Sequence, residues 1–171
     1  MFFKNYTPKE TVKSLVINAI VAAAYVVLTL LNPAFSYNMI QFRVAEMLVL
    51  LCFFRPDTII GLTIGCLIAN VGSPMPSDVI FGTLATFVSC VIMIYLPRLA
   101  LATLMPVIIN GLVVGAQLYF TVDIPFLVGA GWVALGELVV LSVGYLLFMV
   151  LMRNKRFMLV IGASRHLEVK W

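Results

Sequence analysis

The chain has 171 residues, of which 63% are hydrophobic and only 11% charged, and it carries a formal net charge of +4. That is more apolar surface than water can cover, so a soluble globular domain is excluded and an integral membrane protein is implied. The length suits one helical bundle of roughly six spans of about 20 residues, forming a single membrane domain over 1–171 with no separate soluble part.

The first ten residues are polar and include Pro8, and an apolar run follows from about Thr11 to Leu31. No small-residue cleavage site follows it, so it is expected to be a true span, not a signal peptide. Asn32-Pro33 closes this helix, because a proline disfavours helix at the residue before it. The second helix is expected over about 40–54 and the third over 58–71, with Arg55-Pro56-Asp57 as the turn between them. At 1.5 Å per residue they reach only about 22 and 21 Å, short for a span. A re-entrant hairpin would bury Arg55 and Asp57 near the bilayer centre at roughly 2.5 to 3.5 kcal/mol each, so the turn is expected at the cytoplasmic surface. The far ends of both helices then stop short of the outer surface and can line a water-filled cavity. Gly72 to Ser77 reads as a loop, and the remaining helices are expected over about 78–96, 99–120 and 126–152, with 153–171 as a basic cytoplasmic tail. Pro106 falls inside the fifth, which membrane bundles tolerate.

Charge placement sets orientation. If six helices alternate, Lys4, Lys9, Lys13, Arg55, Arg98, Arg153, Lys155, Arg156, Arg165 and Lys170 all fall on one side, so both termini are expected in the cytoplasm. Basic residues scattered over turns and tails form a topology signal and argue against a nucleic-acid partner. Arg43 is the exception, at the external end of the second helix and three positions before Glu46. Such a pair must be compensated or used, since charges within the membrane are costly.

Packing signals are small-residue stripes: Gly61, Gly65 and Ala69 in the third helix, Gly111 and Gly115 in the fifth, and Ala19 and Ala23 in the first. They suit close helix packing inside the bundle, or docking against another membrane subunit.

Chemistry narrows the class. The lone histidine, His166, is in the tail, which leaves no intramembrane Ser-His dyad, and no motif pairs Glu46 with Glu137 as an aspartyl-type dyad. Cys52, Cys66 and Cys90 lie within apolar runs without CxxC spacing, and no ligand cluster has metal-site spacing. No Gly-rich phosphate loop with lysine is present, so no catalytic residue, metal or cofactor is expected. The polar residues needing explanation are Arg43, Glu46, Asn70, Asn110 and Glu137, with Asp78 and Gln117 toward the outer side. Arg43 and Glu46 can neutralise each other, Asp78 can cap a helix, and the asparagines can bond across helices. Glu137 has no basic neighbour in sequence, which favours a functional role. Together they outline a cavity rich in acceptors, suited to a small planar ligand offering several N–H donors.

Several motifs then fall in one order: Gln41-Phe42-Arg43 with Glu46, Gly61-Leu62, Gly65 to Asn70, Asp78 to Thr86, Pro106 with Asn110, and Gly136-Glu137. Over about residues 12 to 152 this resembles the QueT family, substrate-binding S components of energy-coupling factor (ECF) importers assigned to queuosine precursors in bacteria. The resemblance implies a six-helix membrane bundle in the plasma membrane with an externally open site. It also implies partners: a transmembrane coupling subunit and two cytoplasmic ATPases that supply the energy. Ala19 and Ala23 match the alanine motif by which S components dock. The implied ligand is a 7-deazaguanine such as preQ1 or preQ0, whose N1–H and exocyclic amine suit bidentate capture by Glu46 or Glu137. Arg43, Asn70 or Asn110 can serve the ring carbonyl, Asp78 or the second glutamate an aminomethyl cation, and Phe42, Phe81 or Tyr119 the ring face. The alternatives are an S component for another small vitamin, or a non-transporting membrane scaffold.

Overall fold

The computed structural model describes residues 7–31, 33–37 and 41–162; Lys4, Asn32, Arg165, His166 and Lys170 lie outside the described residues. Among these residues every regular element is helical. Helix α1 spans Pro8–Leu30 and starts three residues before the apolar run. The reason is a reciprocal cap: the Glu10 amide donates to the Thr7 hydroxyl, and the Thr7 amide donates to the Glu10 carboxylate at 2.9 Å. Pro8 sits at the first helical position, where its missing N–H costs nothing, so it opens the helix.

A single turn, α2 (Pro33–Ser36), follows, and Ser36 donates to the carbonyl of Thr29 at 3.0 Å. Residue 40, from which a helix is expected, lies outside the described residues, and 41–43 are not helical. Gln41 has a left-handed backbone, with φ of 48°, and Arg43 N donates to Gln41 O at 2.7 Å. Helix resumes as a tight 3-10 segment over Val44–Leu50 and becomes α-helical only in α3 (Leu51–Phe54). Another 3-10 turn, Pro56–Thr58, leads into α4 (Ile59–Val71). The fourth expected helix is likewise split, into a 3-10 turn at Pro76–Val79 and α5 (Phe81–Tyr95). Helices α6 (Leu99–Val122) and α7 (Phe126–Leu151) are long, and Pro106 lies within α6. Four segments, Pro8–Leu30, Pro76–Tyr95, Leu99–Val122 and Phe126–Leu151, are long and apolar enough to cross a membrane, whereas Val44–Phe54 and Pro56–Val71 are shorter.

Two of the small-residue stripes pack helices within the chain. A methyl group on Gly61 would lie 2.4 Å from Asn18 O, and one on Gly65 would lie 2.9 Å from Ala22 O, so α4 seats directly on α1. Gly115 lies equally close to Ala130 of α7, where an added Cβ would meet its Cα at 2.7 Å. The third stripe behaves differently: Ala19 and Ala23 are exposed, on the face of α1 that also exposes Val16, Ile20 and Val27. Among the described residues, packing inside the bundle does not explain them.

The bundle has two unlike ends. Toward the Arg55 turn it is filled by Phe53, Phe54, Met93, Leu99, Leu141 and Phe148, with the Phe54 and Phe148 rings stacked at 5.8 Å. The turn itself is buried, contrary to a simple surface turn. Arg55 donates to both oxygens of Asp57 at 2.7 Å, and Ser14 donates to Asp57 at 2.5 Å. Part of the expected tail covers it as a further short helix, α8 (Lys155–Ile161), whose Ile161 carbonyl accepts from Arg55 and whose Leu159 carbonyl accepts from Lys13. A fully hydrogen-bonded pair tolerates such burial where a lone charge would not. The opposite end of the bundle is polar.

Candidate substrate-binding site

At the polar end, Gln41, Arg43, Asp78, Gly82, Thr86, Asn110, Val114 and Glu137 surround one enclosed space. Five elements contribute. The extended residues 41–43 bring Gln41 and Arg43, the Pro76–Val79 turn brings Asp78, and α5, α6 and α7 bring the rest. Gly82 is the one position on this wall where the backbone itself faces inward, and Asn70 lies directly behind it, 3.0 Å from where a Cβ would stand. The space is small, about 10 Å³, enough for about one water molecule. A bicyclic ligand therefore requires the walls to part.

Arg43 and Glu46 are together but loosely so. Arg43 Nη1 is 3.9 Å from Glu46 Oε1, at the limit of an ion pair. The guanidinium also lies over the ring of Tyr37, 5.7 Å from its centroid, and its Nε has no partner. The same Glu46 oxygen accepts from the hydroxyls of Tyr25 and, at 3.4 Å, Thr86, while Oε2 is left alone. Glu137 repeats the pattern: Oε1 accepts from Asn110 Nδ2 at 2.6 Å and Oε2 is unpartnered. Mutual neutralisation thus does not exhaust Arg43 and Glu46, because each keeps a buried polar atom in reserve.

Asp78 is placed differently. Gln117 donates to one of its oxygens and Ser73 to the other, so it ties the 72–76 loop to α6 while also facing the cavity. Capping α5 is not its role, since the Pro76–Val79 turn intervenes and no side-chain cap bond is made there. Asn70 donates to Thr83 at 3.2 Å and to Cys66 Sγ at 3.3 Å, leaving its carbonyl oxygen free. Of the aromatic candidates, Phe81 and Tyr119 are 43% and 49% exposed, point out of the bundle and do not line the cavity. Tyr119 packs instead on Phe120 at 5.1 Å. The aromatic residues that touch the site's charged side chains are Tyr25, on Glu46, and Tyr37, under Arg43; neither lines the cavity, and the sequence motifs single out neither. Tyr37 donates to the carbonyl of Ala69, and burial pushes its hydroxyl above the ordinary range, so it stays a donor. A tyrosine inside an apolar span signals a hidden hydroxyl partner, and that cue points to Tyr25.

The inventory of orphaned atoms defines what the site can do. Glu46 Oε2, Glu137 Oε2, Asn70 Oδ1, Asn110 Oδ1 and Gln117 Oε1 are buried acceptors without partners, against one such donor, Arg43 Nε. The carboxylates pin the amide nitrogens of Asn110 and Gln117, which turns both amide carbonyls the other way. In charge, the buried groups at this end are one arginine, Arg43, and three carboxylates, Glu46, Asp78 and Glu137. Leaving a buried polar group unpaired costs about 1 to 3 kcal/mol, so the three that belong to lining residues, Arg43 Nε, Asn110 Oδ1 and Glu137 Oε2, mark a place for an occupant, whereas Glu46, Asn70 and Gln117 do not line the cavity.

Apolar helices of membrane-crossing length enclosing this polar pocket define a multi-pass membrane protein with a small-molecule cavity. Comparison with known proteins supplies the family. Residues 15–153 match the QueT transporter family, and the chain belongs to it. The queuosine precursor transporter QueT of Lactococcus lactis subsp. cremoris (strain MG1363) is 36% identical over 152 residues, covering 80% of this chain and 90% of that protein. No solved structure matches the chain.

Proposed function

We propose that this chain is the substrate-capturing S component of an ECF-type importer and that it binds a 7-deazaguanine queuosine precursor, preQ1 or preQ0, in the cavity at its polar end. The observation that carries the reading is that, among the described residues, buried acceptors without partners outnumber such donors five to one, with Asn110 Oδ1, Glu137 Oε2 and the donor Arg43 Nε belonging to residues that line the cavity. A 7-deazaguanine is the complement of that set: it offers N–H groups from both rings and an exocyclic amine, and one carbonyl oxygen. With the walls parted so that Glu46 and Asn70, now behind the lining residues, come within reach, Glu46 Oε2 and Glu137 Oε2 accept from the N1–H and amine edge, Arg43 donates to the carbonyl, and Asn70 and Asn110 accept from the remaining N–H groups. Asp78 holds the outer loop and supplies negative potential for an aminomethyl cation. The similarity to the queuosine precursor transporter of Lactococcus supports the substrate class.

The remainder follows from the basic residues and the exposed face of α1. Lys9, Lys13, Arg55, Arg98, Lys155 and Arg156 sit at the apolar-filled end or in the turns that close it, which supports a cytoplasmic assignment for that end and for both termini, in a bacterial plasma membrane. The polar end then opens outward. Ala19 and Ala23 form the docking face for the transmembrane coupling subunit, and two cytoplasmic ATPases drive release inward. The test is binding of preQ1 and preQ0 to the purified chain, with co-purification of the coupling subunit and ATPases as the second arm. Saturable binding with partners retained is expected. Failure of both 7-deazaguanines while another vitamin binds would discard the substrate, and assembly without any ligand would favour a scaffold.

A further inference from the structure

We infer that Tyr25 is a positioning residue for the ligand-binding carboxylate, a role that rests on the substrate reading above. Neither Tyr25 nor Glu46 lines the closed cavity: Glu46 stands behind the lining residues Thr86 and Arg43, 3.4 and 3.9 Å from its Oε1, and Tyr25 acts through it. Three groups converge on Glu46 Oε1: the Tyr25 hydroxyl, the Thr86 hydroxyl at 3.4 Å and Arg43 Nη1 at 3.9 Å. Thr86 has one hydrogen and shares it with the Gly82 carbonyl at 3.1 Å, while the arginine is at the loose limit of an ion pair. Orientation of the carboxylate therefore falls to Tyr25, whose hydroxyl holds Oε1 and leaves Oε2 unpartnered, free to accept from a ligand once the walls part.

The fold is built to keep Tyr25 there. Its side chain is wholly buried, on the face of α1 that also buries Asn18, Val21 and Thr29. Asn18 anchors the same face by accepting from the Gly61 amide at 2.7 Å. One turn further along α4, Gly65 leaves no side chain where an added Cβ would lie 2.9 Å from Tyr25 Cβ. A bulkier residue at 65 would push the tyrosine off the carboxylate.

The experiment measures binding of preQ1 and of the same ring lacking its exocyclic amine, in wild type, Tyr25→Phe, Glu46→Gln and the double variant, with thermal unfolding alongside. Tyr25→Phe should weaken preQ1 binding about 10-fold or more, the size expected for a hydrogen bond to a charged group. It should also erase much of the preference for the amine-bearing ring, which a general loosening of the fold would not do. The double variant should bind no more weakly than Glu46→Gln alone. Thr86→Val, which removes the weaker hydroxyl contact and leaves Tyr25 in place, serves if Tyr25→Phe does not fold: it should lose clearly less of the preference than Glu46→Gln does, and an equal loss would overturn the inference by moving the positioning role to Thr86. Additive effects of Tyr25→Phe and Glu46→Gln, or equal weakening of both rings, would overturn the inference while leaving the substrate intact. Absence of any 7-deazaguanine binding by wild type would overturn both.

Discussion

Asn110 donates a 2.6 Å hydrogen bond to one oxygen of Glu137 and leaves the other oxygen, like its own amide carbonyl, buried without a partner. Half of each side chain is therefore spent on fixing the other half in place. Preorganisation of this kind lowers the cost of binding, because the ordered groups need not be frozen when the ligand arrives.

Glu137→Gln separates binding from folding. The amide can still bond Asn110, but a charged acceptor is lost, and preQ1 affinity should fall about 10- to 100-fold. Stability should hold or rise, since a buried carboxylate without a cation in contact is costly to the fold. Titration calorimetry and thermal unfolding in detergent check the two halves. A large drop in melting temperature with unchanged affinity would make Glu137 structural.

The glycines of α6 and α7 give a contrast within one helix pair. Gly115→Val has no room, because its Cβ would stand 2.7 Å from the Ala130 backbone, and it should destabilise by about 1 to 3 kcal/mol. Gly131 has nothing within 4 Å of its would-be Cβ. Gly131→Ala should therefore be neutral or stabilise by up to about 1 kcal/mol through helix propensity. Equal melting temperatures for both variants would count against the α6–α7 packing described.

These contacts also explain what was legible in the sequence. Apolar periodicity and Pro/Gly punctuation locate α4, α6 and α7 to within a few residues, because those signals are local. The polar residues also announce themselves, since an arginine or glutamate in an apolar run is expensive wherever it points. The backbone at Gln41 is different: a left-handed conformation at a non-glycine residue is imposed by surrounding structure and has no sequence signal. That kink delays the helix to Val44, and the 3-10 winding that follows turns Glu46 toward Tyr25. The helix covering Arg55 was hidden for the opposite reason, since its basic residues dominate the composition of a segment that still buries Met158. Pairing across the chain, such as Asn110 with Glu137 or Gln117 with Asp78, depends on which helices are neighbours, and spacing alone does not reveal that.

The Arg55 turn yields a stability prediction free of ligand. Asp57→Asn removes the negative charge and turns one of the two oxygens that accept from Arg55 into an amide donor, leaving a buried guanidinium half paired. Breaking a buried pair from one side costs about 3 to 5 kcal/mol. The melting temperature should fall sharply, and protease sensitivity should rise first near 155–161, since Arg55 also holds the Ile161 carbonyl. Replacing Arg55 and Asp57 together by apolar residues should cost less than either single change.

Ala23 tests the outward face of α1. Residues 23 and 25 are about 200° apart around a helix, so Ala23 is exposed while Tyr25 is wholly buried. An indole at position 23 projects away from the bundle and disturbs neither the Gly65 contact nor the Tyr25 to Glu46 bond. Ala23→Trp should therefore keep wild-type melting temperature and preQ1 affinity in the isolated chain. If the coupling subunit docks on this face, the same variant should lose co-purification with it and lose uptake in cells, because small residues permit an approach that a large side chain blocks. Unimpaired assembly and uptake would place the docking surface elsewhere and leave the exposed alanines to lipid.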